Sequence, residues 1–233
     1  MVTTPVHHAE DVLRATKAGD LPGFLDVPQR SRRFVLFAHG SGSSRFSRRN
    51  RAVAETLNRG GIATLLFDLL TPPEHAIDQR TAEYRFDIPL LTDRLIEAVD
   101  WARGWAAADV RTEPLAMGLF GASTGAAAAL GAAAARPEAV RTVVSRGGRP
   151  DLAAGALGDV QQPALFIIGS LDQTVLALNR AAAARMPRAP EIRIVTGASH
   201  LFEEAGKLEL VAALARDWFL EHLAPAPERA PAP

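Results

Sequence analysis

A serine lies between two glycines in the run Gly121-Ala122-Ser123-Thr124-Gly125. An apolar segment, Leu115–Phe120, precedes this run and an alanine-rich segment typical of a helix follows it. The pattern G-x-S-x-G between a strand and a helix is the nucleophile elbow, a sharp turn that exposes the serine hydroxyl. Small neighbours are needed because strand and helix approach closely there. We predict that Ser123 is a nucleophile, and the alternatives are a glycine-rich helix start or a phosphate-binding turn.

A serine hydroxyl becomes a good nucleophile only when a base removes its proton. His200 follows the last apolar segment, Ile192–Val195, and precedes the final amphipathic segment. This position gives the chain order serine, acid, histidine that accompanies a nucleophile elbow. We predict that His200 is the base, with a surface histidine as the alternative. His39 directly follows the segment Phe34–Ala38, where we expect a structural brace.

The acid of such a site should follow the apolar segment Ala164–Ile168, and Asp172 stands there. A carboxylate at this position can accept the Nδ1–H of His200 and stabilise the imidazolium that forms. Asp151 and Asp159 are rivals, although they lie in the loop before this segment. The alternative for Asp172 is an ordinary helix N-cap.

An oxyanion hole requires two backbone N–H groups that point at the developing negative charge. One should come from Thr124, the residue after the nucleophile, and one from the loop His39–Ser44, whose small residues let the backbone approach a substrate. In that loop Ser41 is the first choice and Gly42 the second.

An arginine follows the apolar segment Val140–Ser145. Arg146 could bind a substrate carboxylate through two parallel hydrogen bonds. A structural arginine bonded to loop carbonyls or to a neighbouring acid is an equal alternative.

The elements that must position these residues alternate along the chain. Short apolar runs are typical of parallel strands covered on both faces, and helical periodicity fills the gaps between them. We predict an open, mostly parallel sheet with helices on both faces, preceded by an antiparallel hairpin of Asp11–Thr16 and Leu21–Val27. The longest irregular stretch, Thr71–Asp87, is expected to cover one side of the site. The strands are predicted at Phe34–Ala38, Ile62–Leu69, Leu115–Phe120, Val140–Ser145, Ala164–Ile168 and Ile192–Val195.

Composition limits the class of protein. The 233 residues fit one domain, predicted at residues 9–223 with flexible termini at 1–8 and 224–233. The 26 basic and 26 acidic residues cancel, so charge gives no support for binding nucleic acid or an anionic membrane. Because the sequence has no cysteine, disulfides, thiolate metal sites and a cysteine nucleophile are excluded. Without an apolar leader, we expect a soluble, cytoplasmic protein.

Five segments together resemble the α/β-hydrolase superfamily, and more narrowly the dienelactone-hydrolase-like group of small bacterial serine hydrolases. The resemblance implies the α/β-hydrolase fold, a nucleophile at Ser123, an acid at Asp172, a base at His200 and no cofactor or metal. Dienelactone hydrolases proper use a cysteine nucleophile, so a dienelactone substrate does not follow. Members of the group also occur fused to phosphoribosyltransferase domains, and we expect none in this sequence. The segments are Phe37–Ser44, Phe120–Leu130, Ser145–Ala153, Gly169–Val175 and Gly197–Glu204.

The residues and the resemblance together predict a hydrolase that acts on a small-molecule carboxylic ester, lactone or thioester through an acyl-enzyme. Two other functions remain open. The same three residues could transfer the acyl group to an acceptor other than water. The chain could also be a non-catalytic binding domain, which the intact serine, aspartate and histidine argue against.

Overall fold

The computed structural model describes residues 6–10, 13–17, 19–29, 31–108, 115–153 and 155–224. Within these ranges one eight-stranded sheet forms the centre of the molecule, and a separate pair of short strands lies near the N-terminus. The main sheet contains, in chain order, β1 (Val6–Glu10), β4 (Gly23–Pro28), β5 (Arg33–Ala38), β6 (Ala63–Phe67), β7 (Ala116–Ala122), β8 (Val140–Arg146), β9 (Ala164–Gly169) and β10 (Glu191–Val195), and the pair contains β2 (Leu13–Thr16) and β3 (Gly19–Leu21).

Across the sheet the strand order is β1-β4-β6-β5-β7-β8-β9-β10. From β6 to β10 all neighbours are parallel, whereas β4 is antiparallel to both β1 and β6. The predicted strands are thereby confirmed as a mostly parallel sheet. Their carboxyl ends lie at one edge, where ligands bind in open sheets of this kind.

Helices cover both faces of the sheet and enclose a buried apolar cluster on each side. The first and last helices pack on one face, while the third, fourth and fifth pack on the other. None of the described helices is long and apolar enough to cross a membrane. The helices are α1 (Arg48–Arg59), α2 (Pro72–Thr81), α3 (Ile88–Ala108), α4 (Thr124–Ala135), α5 (Gln173–Ala183) and α6 (Lys207–His222).

The alanine-rich helix α4 is buried along nearly its whole length. Its small side chains allow close packing against the sheet on one side and against α3 on the other. A Cβ added at Gly131 would lie 2.9 Å from Thr92 Cγ2 of α3. The small residues of α4 therefore determine how closely this helix, which begins directly after Ser123, packs against the sheet and α3.

The N-terminal region differs from the prediction in two respects. The hairpin exists, but only β2 and the short β3 form it, because Gly23–Pro28 instead joins the main sheet between β1 and β6. Residues 6–8, predicted to be flexible, belong to β1. An edge strand bonds to one neighbour and needs no continuous apolar run, so periodicity gave no signal there. The remaining predicted flexible residues, except residue 224, lie outside the described ranges.

The stretch Thr71–Asp87 is wrongly predicted as irregular, because it contains the helix α2. The side chain of Thr71 accepts the Glu74 N–H, and the Glu74 carboxylate accepts the Thr71 N–H, which forms a capping box. Pro72 stands at the first helical position, which suits proline. The polar residues of α2 show no apolar periodicity, so the T-x-x-E signature was the available signal.

Candidate active site

The sharp turn between β7 and α4 holds Ser123 in a backbone conformation with φ +50° and ψ −121°. Residues other than glycine rarely adopt a positive φ, and such strain is concentrated at functional sites. A Cβ at Gly121 would lie 2.4 Å from Ala126 Cα, and one at Gly125 would lie 2.2 Å from the carbonyl oxygen of Ala38. Both flanking positions therefore exclude any larger residue, which is the geometric requirement of a nucleophile elbow.

The structure brings His200 and Asp172 together at the carboxyl ends of two adjacent parallel strands, β10 and β9. His200 Nδ1 lies 2.6 Å from Asp172 Oδ2, so the ring donates a hydrogen bond to the carboxylate. The Leu171 N–H donates to the Ala198 carbonyl at 3.0 Å and ties the two loops together. Asp172 occupies the N-cap position of α5, but its side chain makes no capping hydrogen bond. The carboxylate is thus directed at the histidine rather than at the helix.

The two rival acids lie elsewhere. Asp151 forms an ion pair with Arg149, whose Nη2 is 2.8 Å from its Oδ2. Asp159 is exposed in a short 3₁₀ turn. Neither has a hydrogen bond to a histidine in the described part of the chain.

Ser123 and His200 adjoin the same short segment that follows β8. The Ser123 N–H donates to the carbonyl of Arg146 at 3.2 Å, and a Cβ at Gly147 would lie 3.5 Å from His200 Nδ1. Among the described residues, neither the Ser123 hydroxyl nor His200 Nε2 has a hydrogen-bond partner. Catalytic hydrogen bonds are often long in a ligand-free site and tighten when substrate binds, so this arrangement is compatible with proton transfer between the two side chains.

The loop His39–Ser44 (the oxyanion loop), which contains the predicted donor Ser41, passes directly beside Ser123. A Cβ at Gly40 would lie 3.1 Å from Ser123 Cβ, so only glycine allows this approach. The Thr124 N–H has no acceptor within the described ranges, as an oxyanion donor requires. The Ser41 N–H, in contrast, donates to the side-chain oxygen of Thr124 at 2.8 Å. One predicted donor is therefore free and the other is already engaged.

His39 connects the loops that follow β5 and β6. Its Nε2 accepts the Leu69 N–H at 3.1 Å, and its Nδ1 lies 3.0 Å from the Gly40 carbonyl, to which it donates. Burial lowers the pKa of His39, which keeps the ring neutral and suits a ring that must accept one hydrogen bond and donate the other. His39 thereby braces the oxyanion loop, the role expected from its position.

A cavity of about 270 Å³ lies beside the oxyanion loop, and its lining includes Gly40, which is next to Ser123, but neither Ser123 nor His200. Residues of α2 and of the segment after it line this cavity, and the expectation that the stretch covers one side of the catalytic site stays a prediction. Within the described residues no group of histidine and acidic side chains is arranged to hold a metal ion. The lining residues are His39, Gly40, Ser41, Gly42, Ser43, Ser44, Asp68, Leu70, His75, Asp78, Gln79, Arg85 and Leu91.

Arg85 is a lining residue that sequence reasoning missed. Its Nε donates to Asp78 Oδ2 at 2.9 Å and its Nη2 to the Asp78 carbonyl at 2.7 Å. Burial opposes the charge on Asp78, but hydrogen bonds from Arg85 and from the Tyr84 N–H outweigh it and hold the pKa of Asp78 below its ordinary value. Arg85 Nη1 lies 3.4 Å from where a Cβ of Gly42 would stand. The guanidinium is thus held rigidly over the oxyanion loop.

Arg146 points away from the cavity. It lies on the sheet face covered by α1 and α6, is 6% exposed, and donates from Nη2 to Asn50 Oδ1 at 3.3 Å. Burial, with the nearby charge of Arg49, lowers its pKa to about 10. The sequence offered a structural arginine bonded to loop carbonyls or to an acid as the alternative. Among the described residues Arg146 bonds to neither of these, and its partner is the side-chain amide of Asn50. Contact with substrate stays a prediction.

A strained elbow serine and a histidine–aspartate pair, set at the carboxyl ends of a mostly parallel eight-stranded sheet, define the α/β-hydrolase class. The solved structure of dienelactone hydrolase from Anabaena variabilis is 48% identical, with a TM-score of 0.87, and the match covers 96% of this chain and 100% of that one. The chain therefore belongs to the dienelactone hydrolase family of α/β-hydrolases. No protein-family model matches the chain.

Two other comparisons place limits on this assignment. Two Mycobacterium tuberculosis strains each carry a protein named "Putative phosphoribosyl transferase" that is 55% identical over 208 residues, covering 88% of this chain but 45% of theirs. The chain thus spans less than half the length of these curated relatives. Est1E from Butyrivibrio proteoclasticus is 17% identical with a TM-score of 0.72, covering 94% of this chain and 99% of Est1E, and shares the fold.

Proposed function

We propose that this chain is a serine hydrolase that cleaves a small carboxylic ester through an acyl-enzyme on Ser123. The observation that carries the proposal is the 2.6 Å hydrogen bond between His200 and Asp172 at the strand ends beside the elbow serine. This bond fixes the tautomer in which Nδ1 holds the proton and Nε2 is free to accept one.

The reaction has two steps. Ser123 Oγ attacks the ester carbonyl while His200 Nε2 takes its proton, and the tetrahedral oxyanion is stabilised at the N-terminus of α4 by the Thr124 N–H. His200 then protonates the leaving alcohol, the C–O bond breaks, and the acyl group remains on Ser123. Water activated by the same histidine releases the acid and restores the serine. Asp172 stays ionised and stabilises the imidazolium.

The cavity beside the oxyanion loop supports a small, polar substrate. Its volume of about 270 Å³ lies just below the usual range for ligand pockets, so it suits a small group rather than a long acyl chain. Arg85 Nη1 faces Gly42 in this cavity, while the other guanidinium nitrogens are held by Asp78. A carboxylate on the substrate would bind there as a charge-assisted hydrogen-bond acceptor.

Hydrolysis is favoured over acyl transfer by the exposure of the base. The His200 side chain is 37% exposed, so water reaches the place where an acceptor would have to compete with it. The longer Mycobacterium tuberculosis relatives have a phosphoribosyl transferase in their names. We assign that activity to the part of those proteins outside the matched residues, because the match covers 88% of this hydrolase-fold chain and leaves more than half of each relative unmatched.

The test is hydrolysis of p-nitrophenyl esters of graded acyl length by the wild type and by Ser123→Ala. We expect the shortest esters to be cleaved fastest, and Ser123→Ala to keep the fold but lose roughly 10³-fold or more in kcat, since only binding and the oxyanion hole remain. Hydrolysis by Ser123→Ala at the wild-type rate would overturn the proposal, as would a wild type that cleaves no ester of the series.

A further inference from the structure

The oxyanion loop is linked to the first residue of α4 through a side chain. The Ser41 N–H points at Thr124 Oγ1, 2.8 Å away, although Ser41 is the loop residue expected to donate to the substrate. Thr124 is 4% exposed, and the backbone N–H of the same residue is the free donor described above. The hydroxyl thus contacts one of the two N–H groups that the sequence assigned to the oxyanion hole and belongs to the same residue as the other.

A threonine hydroxyl accepts hydrogen bonds through its oxygen and donates one through its hydrogen. Here the oxygen accepts the Ser41 N–H, and no described residue accepts the hydrogen. A hydroxyl that accepts a hydrogen bond becomes a stronger donor, since linked hydrogen bonds polarise one another. Side-chain rotation does not readily break the hydrogen bond between Thr124 Oγ1 and the Ser41 N–H, because the buried, β-branched side chain of Thr124 has few alternative rotamers.

We propose that the Thr124 hydroxyl is the second donor of the oxyanion hole, and that the Ser41 N–H orients and polarises it instead of contacting substrate. Thr124 then supplies both donors, one from its backbone and one from its side chain. This inference rests on the proposed function, because it concerns the same tetrahedral intermediate on Ser123. Two other arrangements compete with it. The hydroxyl could block the Ser41 N–H until substrate displaces it, or the Gly42 N–H could be the second donor.

Replacing the hydroxyl separates the three arrangements. Thr124→Val removes the hydroxyl at nearly constant shape, Thr124→Ala removes it with less bulk, and Thr124→Ser keeps it. We expect both hydroxyl-free variants to lose about 10²-fold in kcat with KM within a few-fold of the wild type, the effect of removing one oxyanion donor. Thr124→Ser should stay within a few-fold of the wild type. Thermal unfolding provides the control that the variants are folded.

A tetrahedral boronate adduct on Ser123 gives a readout that a purely structural role would not move. Phenylboronic acid should bind the hydroxyl-free variants more weakly by about the factor lost in kcat/KM, and bind Thr124→Ser nearly as the wild type does. Folded Thr124→Val and Thr124→Ala with unchanged or raised kcat would overturn the inference, and the raised value would indicate a blocking hydroxyl. If Ser123→Ala, assayed beside them, loses activity while these variants do not, only the role of Thr124 fails. An active Ser123→Ala would remove both proposals.

Discussion

The elbow that holds Ser123 and the cavity beside the oxyanion loop are formed by different kinds of residue. At the elbow, small residues and backbone atoms dominate, and a Cβ added at Gly125 would lie only 2.2 Å from the Ala38 carbonyl oxygen, which leaves no freedom of substitution. Around the cavity, the small residues of the oxyanion loop lie opposite charged side chains, and Asp68 and Asp78 pair with Arg45 and Arg85. The difference suggests a division of labour, in which backbone geometry positions the reacting groups and side-chain charge selects the substrate. Changes at the elbow should therefore reduce kcat, and changes around the cavity should alter preference among substrates.

The largest effect is expected from Asp172, the proposed partner of His200. Asp172→Asn should lower kcat by up to about 10⁴-fold, because the amide can favour the wrong tautomer of His200. Steady-state hydrolysis of the best p-nitrophenyl ester is the measurement. The matched control is Asp151→Asn, since Asp151 is also a partly buried carboxylate and is paired with Arg149. A strong loss in Asp151→Asn or Asp159→Asn with a mild effect of Asp172→Asn would mean that the acid is assigned to the wrong residue.

On the cavity side the effect should be smaller and selective. Arg85→Met should cost about 10- to 100-fold in kcat/KM for a dicarboxylate half-ester, because a charge-assisted contact is lost, and should leave the neutral diester nearly unchanged. The comparison needs four values of kcat/KM, for each ester with the wild type and the variant. Equal losses on both esters would show that Arg85 supports α2 and the oxyanion loop rather than the substrate.

Arg146 provides a matched control for that experiment, because it is an arginine near the site that lies on the other sheet face. We expect Arg146→Met to leave the preference for the half-ester unchanged, because its buried guanidinium bonds to Asn50, although the sequence left a carboxylate contact open as an equal alternative. A loss confined to the half-ester in Arg146→Met, with Arg85→Met neutral, would support the carboxylate contact of Arg146 and reverse the assignment of the two arginines.

The smallest effect is expected on stability. Burial lowers the folded pKa of Arg146 to about 10, below its value in the unfolded chain, so above that pH the unfolded chain binds more protons and the free energy of unfolding rises with pH. Below pH 10 the cost of burying the charge is present in full. Arg146→Met removes that cost, so at pH 7.5 its free energy of unfolding should equal the wild type or exceed it by up to about 2 kcal/mol. Urea denaturation measures the difference, and a decrease of more than about 2 kcal/mol would contradict this account.

Most of the parallel sheet and the turn at Ser123 could be predicted from the sequence, because these features depend on local sequence patterns. Continuous apolar runs predicted the parallel strands from Arg33 to Val195, and the elbow motif predicted the turn at Ser123 in its strand–turn–helix setting. The positions of His200 and Asp172 followed from the rule that ligands meet the carboxyl ends of strands. Because β9 and β10 are adjacent and parallel, residues that follow their carboxyl ends lie close together, and His200 and Asp172 form a hydrogen bond there.

The parts that were missed depend on contacts between distant segments. The bond from Ser41 to Thr124 joins two loops, and neither residue type nor spacing signals it. The same holds for Arg85, whose orientation depends on Asp78 and therefore on the formation of α2. For Arg146 the strand position was right, but alternation along β8 directs its side chain to the face of α1. Predicting that direction required the register of β8 as well as its end.

The central claim is that Ser123 is a nucleophile activated by His200, and covalent labelling tests it directly. The wild type should react with a fluorophosphonate probe and gain one adduct mass, which peptide mapping should place on Ser123. Ser123→Ala should gain none, and His200→Ala should react much more slowly than the wild type, because the serine then lacks its base. An adduct on another residue, or equal labelling of Ser123→Ala, would contradict the account.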